Sequence, residues 1–419
     1  MNAPVLNSQS TYEAQAGFVA ELATRLHAYG TTSQRLEGAV MGVAQRLGLE
    51  CEVWSNPTGI ILSFADPVRG QQNGITRVLR LAPGDQNLGR LAATDAIAED
   101  VLAGRMDPGA GLAALKALDR PASRTAQALN AFSFGLSAAA VSALLGSAWA
   151  GVATAGVIGM LIGVMFVLGA GRPRLSEALE ALAALVATLL AAAVATWITP
   201  ISLNTVIISS LIVLMPGLML TNAVSELSSQ QLMSGTARFA GALMILMKLT
   251  FGTVAAMQVV GLLGWVPQEA AAQPPSLLPS LLALGVAAYA FAVLFQASAR
   301  DYPLVMAAVL LGYGLTRVGG ELLGLASDNF AGGAFFAGMG VAVVSNAYGR
   351  WFNRPGALIR VPGIILLVPG SVGFRSLNFV MERDVWLGLD TAFVLLSALI
   401  AIVAGLLFGN LIVPSRRNI

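Results

Sequence analysis

The chain has 419 residues, 56% hydrophobic and 11% charged, with 45 glycines and a formal net charge of +2, and its mean hydropathy is +0.74. This composition excludes an ordinary water-soluble protein and gives no basic footprint for nucleic acid. One cysteine (Cys51) and one histidine (His27) exclude an internal disulfide and any cysteine-rich or multi-histidine metal site.

Charge divides the chain. Residues 1–126 carry 11 Lys/Arg and 12 Asp/Glu, and residues 127–419 carry 13 and 10. A soluble domain is therefore expected to precede a membrane domain. The first 40 residues are polar and lack the apolar core of a signal peptide, so the domain is expected to stay in the cytoplasm. It reads as α+β. A helix runs from about Tyr12 to Tyr29 and stops at Gly30, and Ser33 caps a second, Gln34 to Leu47, whose apolar residues keep helical spacing. Strands are expected near Cys51–Trp54, Gly59–Phe64 and Thr76–Leu81, with a turn at Asn56-Pro57. Helices then cover Asn87 to Gly104 and Ala110 to Leu118, the second restarted by Asp107-Pro108.

Ten spans follow, near 127–148, 151–170, 178–198, 202–223, 236–262, 277–297, 303–316, 329–349, 360–374 and 386–413. With a cytoplasmic N-terminus, the cytoplasmic flanks hold Lys116, Arg120, Arg124, Arg172, Arg174, Arg238, Arg300, Arg350, Arg354, Arg360, Arg416 and Arg417. The opposite flanks hold Arg317, Arg375 and Arg383. Twelve against three obeys the positive-inside rule and places both termini in the cytoplasm of a cell's inner membrane. The proline-rich loop Gly264 to Pro279 divides the spans five and five. The expected units are a cytoplasmic domain (1–126), a first five-helix repeat (127–265) and a second (266–419). An odd span count per repeat would make the repeats inverted in topology. Gly332, Gly333, Gly338 and Gly340 mark close helix packing in span eight.

Span four contains Leu214-Met215-Pro216-Gly217 and span nine contains Leu367-Val368-Pro369-Gly370. Proline and glycine break a helix, and lipid cannot satisfy the freed backbone groups, so such breaks persist only where protein or a watery cavity surrounds them. Matched broken helices in the two halves of a chain point to a transport site. The plain alternative is a packing kink. On a substrate-binding reading, Ala-Ala in place of either Pro-Gly restores the helix, abolishes binding and leaves stability unchanged or raised.

Other polar residues of the spans join the candidates. Asn222 and Glu226 lie four residues apart below the first break; Glu226 either carries a coupling proton or contacts an ammonium, or is a solvated helix end. Lys248 sits well inside span five, as a functional group or a structural ion-pair partner. Ser345 and Asn346 in span eight line a path or bond between helices. Asp301 and Asp390 are further coupling candidates or interfacial residues. His27 reads as a packing or surface residue. There is no P-loop and no Ser/His/Asp set, so neither an ATP-driven pump nor an enzyme is expected, and no cofactor.

The segment LMPGLMLTNAVSELSSQQLMSGTAR, Leu214–Arg238, resembles a helix of the threonine/serine exporter family, of form LVPG…NAV.(D/E)…..G.AR. VPGIILLVPGSVGFRS, Val361–Ser376, is similar to the short LVPG helix of that family's second component. AYGTTSQRLEGAVMGVAQRLGL, Ala28–Leu49, is similar to its cytoplasmic domain. The resemblance spans nearly the whole chain and implies the fused form of a two-component exporter. Glu226 stands where the family often has Asp. The resemblance implies export of L-threonine and L-serine driven by the proton motive force, with dicarboxylate (succinate) export as the alternative. A membrane enzyme or sensor with its active part in residues 1–126 is the rival from another class. Partners implied are threonine, serine, protons and the bilayer; a homo-oligomer is left open.

Overall fold

The computed structural model describes residues 3–66, 70–271, 276–322 and 330–415. It is a polytopic helical membrane protein carrying a small α+β domain at its N-terminal end. Helices α1 (Ala3–Ala28) and α2 (Ser33–Arg46) precede a three-stranded antiparallel sheet, β1 (Glu50–Asn56), β2 (Gly59–Asp66) and β3 (Gly70–Arg80), in the order β1-β2-β3. Alternate residues of β2, Ile60, Leu62 and Phe64, face inward and are buried. They meet Phe18, Leu22 and Leu26 of α1 and Leu36 and Val40 of α2 in one core. Helices α3 (Leu88–Leu102) and α4 (Pro108–Ala117) close it, capped by the Asn87 and Asp107 side chains. The cap of α2 differs from expectation. Thr32 holds the cap position and Ser33 is the first helical residue. The backbone and side chain of Ser33 are directed instead at the membrane helices.

His27 is buried in this domain, with Nε2 3.2 Å from the Asn56 carbonyl and Nδ1 without a partner. Burial lowers its pKa from the ordinary 6.5, the Arg238 charge adds to the lowering, and the bond to Asn56 opposes it. The unfolded chain therefore binds the proton more readily than the folded one. Stability of the domain is expected to fall as pH drops from 6.5 through the lowered value, and to be unaffected by this group above 6.5. Thermal unfolding of wild type and His27→Gln between pH 7.5 and 5 checks this: the substitution should flatten the dependence.

Eight described helices are long and apolar enough to cross a membrane. They are α5 (Arg124–Leu144), α6 (Trp149–Gly169), α7 (Pro173–Trp197), α10 (Leu232–Leu262), α11 (Leu277–Leu294), α12 (Tyr302–Leu322), α13 (Phe330–Phe352) and α16 (Val385–Ile412). The other two expected spans are broken. Helices α8 (Leu203–Ser210) and α9 (Gly217–Ser228) are bent by 52°, and taken as one span they raise the number to nine. Helices α14 (Ala357–Ile364) and α15 (Gly370–Met381) are separated by Ile365–Pro369, and each is too short to cross alone.

The halves of the membrane region repeat one pairing pattern. The third helix of each packs on the fifth (α7 on α10, α13 on α16), and the fifth packs on the second piece of its own broken helix. The first piece packs on the second and third helices (α8 on α6 and α7, α14 on α12 and α13). Each fifth helix also touches the other half's second piece, α10 on α15 and α16 on α9. Small residues permit the close approaches. Ala183, Ala187, Ala191 and Ala195 form a buried stripe on α7, and a Cβ on Gly338 of α13 would lie 2.6 Å from the Ile402 carbonyl on α16.

The N-terminal domain sits on one face of this bundle. The Leu88 and Gly89 amides donate to the Phe295 and Gln296 carbonyls at 2.9 and 3.0 Å, after α11. The Ser33 amide donates to Glu226 at 3.0 Å, and its hydroxyl lies 2.6 Å from that of Ser234. Gln231 donates to Glu37 at 2.7 Å. Burial raises the Glu37 carboxyl above its usual range, against the Ser55 and Gln231 bonds.

Candidate functional site

The two Pro-Gly breaks meet. A Cβ on Gly217 would lie 3.1 Å from the Gly370 nitrogen and run into the Val368 side chain; one on Gly370 would lie 3.1 Å from the Gly217 nitrogen and Cα. Only glycine permits this crossing. Each proline has nearly the same conformation, φ −79° and ψ 40° at Pro216 and φ −84° and ψ 45° at Pro369. Each following amide turns back in the manner of an inverse γ-turn, Gly217 to the Met215 carbonyl at 2.8 Å and Gly370 to the Val368 carbonyl at 2.9 Å. Regular helix bonding resumes at Leu220 and Gly373. The amides in between, of Leu218 and Met219 and of Ser371 and Val372, have no intrahelical acceptor. Two helix N-termini, each with a positive dipole end, thus converge at one point.

A cavity of about 250 Å³ runs from beside this crossing to the N-terminal domain. Leu218, Thr221, Asn222, Ser225 and Ser229 present one face of α9 to it. Arg360 of α14 and Asn410 of α16 form another wall, and Thr32, Arg35 and Gln86 of the domain close it. Among the described residues, two arginines and no carboxylate line it. Arg360 Nη2 donates to Asn346 Oδ1 and Asn410 Oδ1, both at 3.0 Å, and its Nε is buried without a partner. Asn346 in turn donates to Asn410 Oδ1 and the Val413 carbonyl, at 2.9 and 2.7 Å.

A second cavity, about 290 Å³, is lined by α8, α10 and α15. Its walls reproduce the first at a constant offset of 153 residues, the separation of Gly217 and Gly370. Thr221, Asn222, Ser225 and Ser229 become Phe374, Arg375, Asn378 and Glu382; Ala357, Arg360 and Val361 become Asn204, Ile207 and Ile208; Leu406 becomes Thr253. The same offset relates α9 to α15, both 12 residues, and the left-handed residues Gln230 (φ 64°) and Arg383 (φ 70°) that start the turns into α10 and α16. A larger cleft of about 600 Å³, mostly leucine-lined, reaches Leu366 and Leu367 beside α11 and α12.

The structure brings together Pro216, Gly217, Pro369 and Gly370, sets Asn222 on the first cavity, and makes Asn346 a support of Arg360. The other candidates lie elsewhere. Glu226 is 2% exposed on the flank of α9, where Arg238 Nε reaches both its oxygens at 3.0 and 2.9 Å. Lys248 faces α7, bonding the Glu177 carbonyl at 2.8 Å and approaching Glu180 at 3.5 Å, away from both cavities. Ser345 donates to the Gly356 carbonyl at 2.9 Å. Asp390 is exposed near the start of α16.

Asp301 is 2% exposed and held by Arg354 through two bonds, 2.7 and 2.9 Å. Removing its charge leaves Arg354 without its carboxylate, with only the Tyr348 hydroxyl among the described residues as acceptor, at 3.2 Å. Asp301→Asn is expected to cost about 3–5 kcal/mol of stability and to leave the pH profile of transport unchanged, which thermal unfolding and flux against pH would check.

Sequence reasoning missed Arg35, Arg360, Asn410, Arg375 and Asn378 as cavity residues, having counted the arginines among them, apart from Arg35, only as loop charges. The available signal was the second break: reading the two segments at their common offset places Arg375 and Asn378 opposite Asn222 and Ser225.

Comparison with known proteins gives the following. A family model described as "Putative threonine/serine exporter" matches residues 17–260, and a second, "Threonine/Serine exporter, ThrE", matches residues 280–412. The chain is similar to pheromone-regulated membrane protein 10 of the yeast Zygosaccharomyces rouxii, 23% identical over 367 residues, covering 86% of this chain and 37% of that protein. The chain therefore spans little more than a third of that relative's length. No solved structure matches.

Proposed function

The chain belongs to the threonine/serine exporter family, and from that premise we propose that it is a secondary active exporter of L-threonine, L-serine and similar small amino acids, working by proton antiport. The observation that carries this reading is the crossing of two broken helices together with two cavities built on one plan. An exporter must open its site to each side in turn. Two equivalent half-sites that meet at one constriction supply the two states, and if each broken helix counts as one crossing, five crossings per half would make the repeats inverted, with the exchange axis in the membrane plane. The N-terminal domain then faces the cytoplasm, the chain lies in the inner membrane with both termini inside, and the cavity beneath the domain is the entry.

A zwitterion needs donors for its carboxylate and acceptors for its ammonium. The unpaired amides of α9 and α15 and the Arg360 guanidinium supply the donors. Thr221, Asn222 and Ser225 supply neutral oxygens on the same wall. The volume falls below the roughly 300–1,000 Å³ of drug-sized ligands, which suits a small amino acid. Of the three carboxylates, Glu226 is the coupling group: it is buried beneath the N-terminal domain, and a proton on it would break its ion pair with Arg238. Asp301 is fixed by Arg354 and Asp390 is exposed.

One observation favours a second reading. A dicarboxylate needs two cations at its site, and the entry cavity has Arg35 and Arg360 with no acid among the described residues to offset them. Efflux from proteoliposomes loaded with labelled threonine, serine or succinate, with and without a pH gradient, decides. Threonine and serine efflux accelerated by the gradient supports the first reading; succinate efflux alone replaces it with the second.

A further inference from the structure

The N-terminal domain is more than a neighbour of the entry cavity. Resting on the transport reading above, we propose that Arg35 of this domain and Arg360 of α14 together bind one carboxylate of the cargo, so that the domain supplies part of the substrate site.

Four observations support a joint site. Both guanidinium groups line one small cavity, and among the described residues no acidic side chain does. Neither has an ion-pair partner among the described residues. Arginine has five N–H donors. Arg360 commits one nitrogen to two asparagine oxygens, neither of which neutralises it, and keeps a buried Nε without an acceptor. It is a cation held in place with donors to spare. Arg35, which is half-buried, carries a similar deficit: among the described residues it has no bonded partner, and withdrawal from water brings its guanidinium down to about 10. A charge partly withdrawn from water without a partner is costly, and an incoming anion relieves the cost at both residues at once.

The placement of Arg35 is itself fixed by the membrane helices. Two residues earlier, Ser33 donates its amide to Glu226 and pairs its hydroxyl with Ser234. The start of α2 is therefore pinned to α9 and α10, and the same first turn of α2 carries Arg35 to the cavity. Planar, two-pronged donors match a carboxylate better than a lysine would.

The shared chemistry is a carboxylate, which an amino acid and a dicarboxylate both offer, so the test uses both. The full-length protein is purified and ligand binding is measured for L-threonine, L-threoninamide and succinate, in wild type, Arg35→Gln, Arg35→Lys and Arg360→Gln. Arg35→Gln leaves the Arg360 network intact and carries the test alone if Arg360→Gln does not fold. Threonine affinity is expected to fall tenfold or more in Arg35→Gln, to recover only in part in Arg35→Lys, and threoninamide is expected to bind weakly and equally to all variants. Dependence of succinate, and not threonine, on Arg35 keeps the site and reassigns the cargo. Wild-type affinity of Arg35→Gln for both acids, or an equal loss for threonine and threoninamide, overturns the proposal. Failure of the wild type to move threonine in the efflux assay would instead overturn the transport reading.

Discussion

Gly217→Ala and Gly370→Ala are each expected to cut threonine export at least tenfold while the protein still reaches the membrane. The added methyl group meets backbone: it falls 3.1 Å from the Gly370 nitrogen in one case and 3.1 Å from the Gly217 nitrogen and Cα in the other. Backbone at a helix start cannot swing aside as a side chain can. Overpacking of this kind costs roughly 1–3 kcal/mol, and 1.4 kcal/mol is a factor of ten. On the proposed mechanism the crossing loosens and re-forms in each transport cycle, and the added methyl group hinders its re-forming. Because each methyl group meets the other glycine, the two changes share one contact, and the double variant is expected to lose less than the two single losses combined. Export rates and thermal unfolding of the three variants check this. Wild-type export by both single variants would show that the crossing is not part of the path.

Glu226→Gln is expected to abolish export driven by a pH gradient. Glutamine keeps the shape and can still accept from the Ser33 amide, but it cannot take up or release a proton and it leaves Arg238 unpaired. Arg238 is 12% exposed, so that vacancy is a buried one, and breaking a buried pair costs about 3–5 kcal/mol. A loss of export alone would therefore fit a purely structural role as well. The pH profile separates the two. In proteoliposomes, residual threonine exchange by Glu226→Gln is expected to be flat with pH. Residual export that keeps the wild-type pH dependence moves the coupling proton to another group.

Much of the architecture was legible because membranes constrain sequence strongly. Apolar length gave the eight unbroken spans, and Pro-Gly inside apolar runs gave both breaks. What the periodicity could not give was contact between distant segments. Glu226 and Asn222 share a helix, yet the structure sends one to Arg238 and Ser33 and the other to the cavity, since the choice depends on what α2 and α10 bring alongside. Lys248 reads as a mid-membrane charge by counting along its helix, but α10 is 31 residues long and packs its Lys248 against Glu177 and Glu180 near the start of α7. The arginines show the same limit. Arg360 and Arg375 look like loop charges, and only the folding of α14 and α15 around the breaks turns them into cavity walls. Packing also changes one expectation outright. Pro-Gly to Ala-Ala is not expected to preserve stability, because the glycine half of the change introduces the clash at the crossing.

The central claim is that two equivalent cavities open alternately on either side of the glycine crossing. Ser225 lines one and Asn378, its counterpart, lines the other. The native thiol interferes little: burial, with the Glu52 charge, pushes Cys51 up to about 11, where it is scarcely ionised at neutral pH. Ser225→Cys and Asn378→Cys can therefore be labelled separately with a membrane-impermeant maleimide applied from either face. The account predicts that Ser225→Cys labels only from the cytoplasmic face and Asn378→Cys only from the outer face, and that a saturating threonine gradient raises one rate while lowering the other. Labelling of both positions from the same face, or a change of both rates in the same direction, would contradict it.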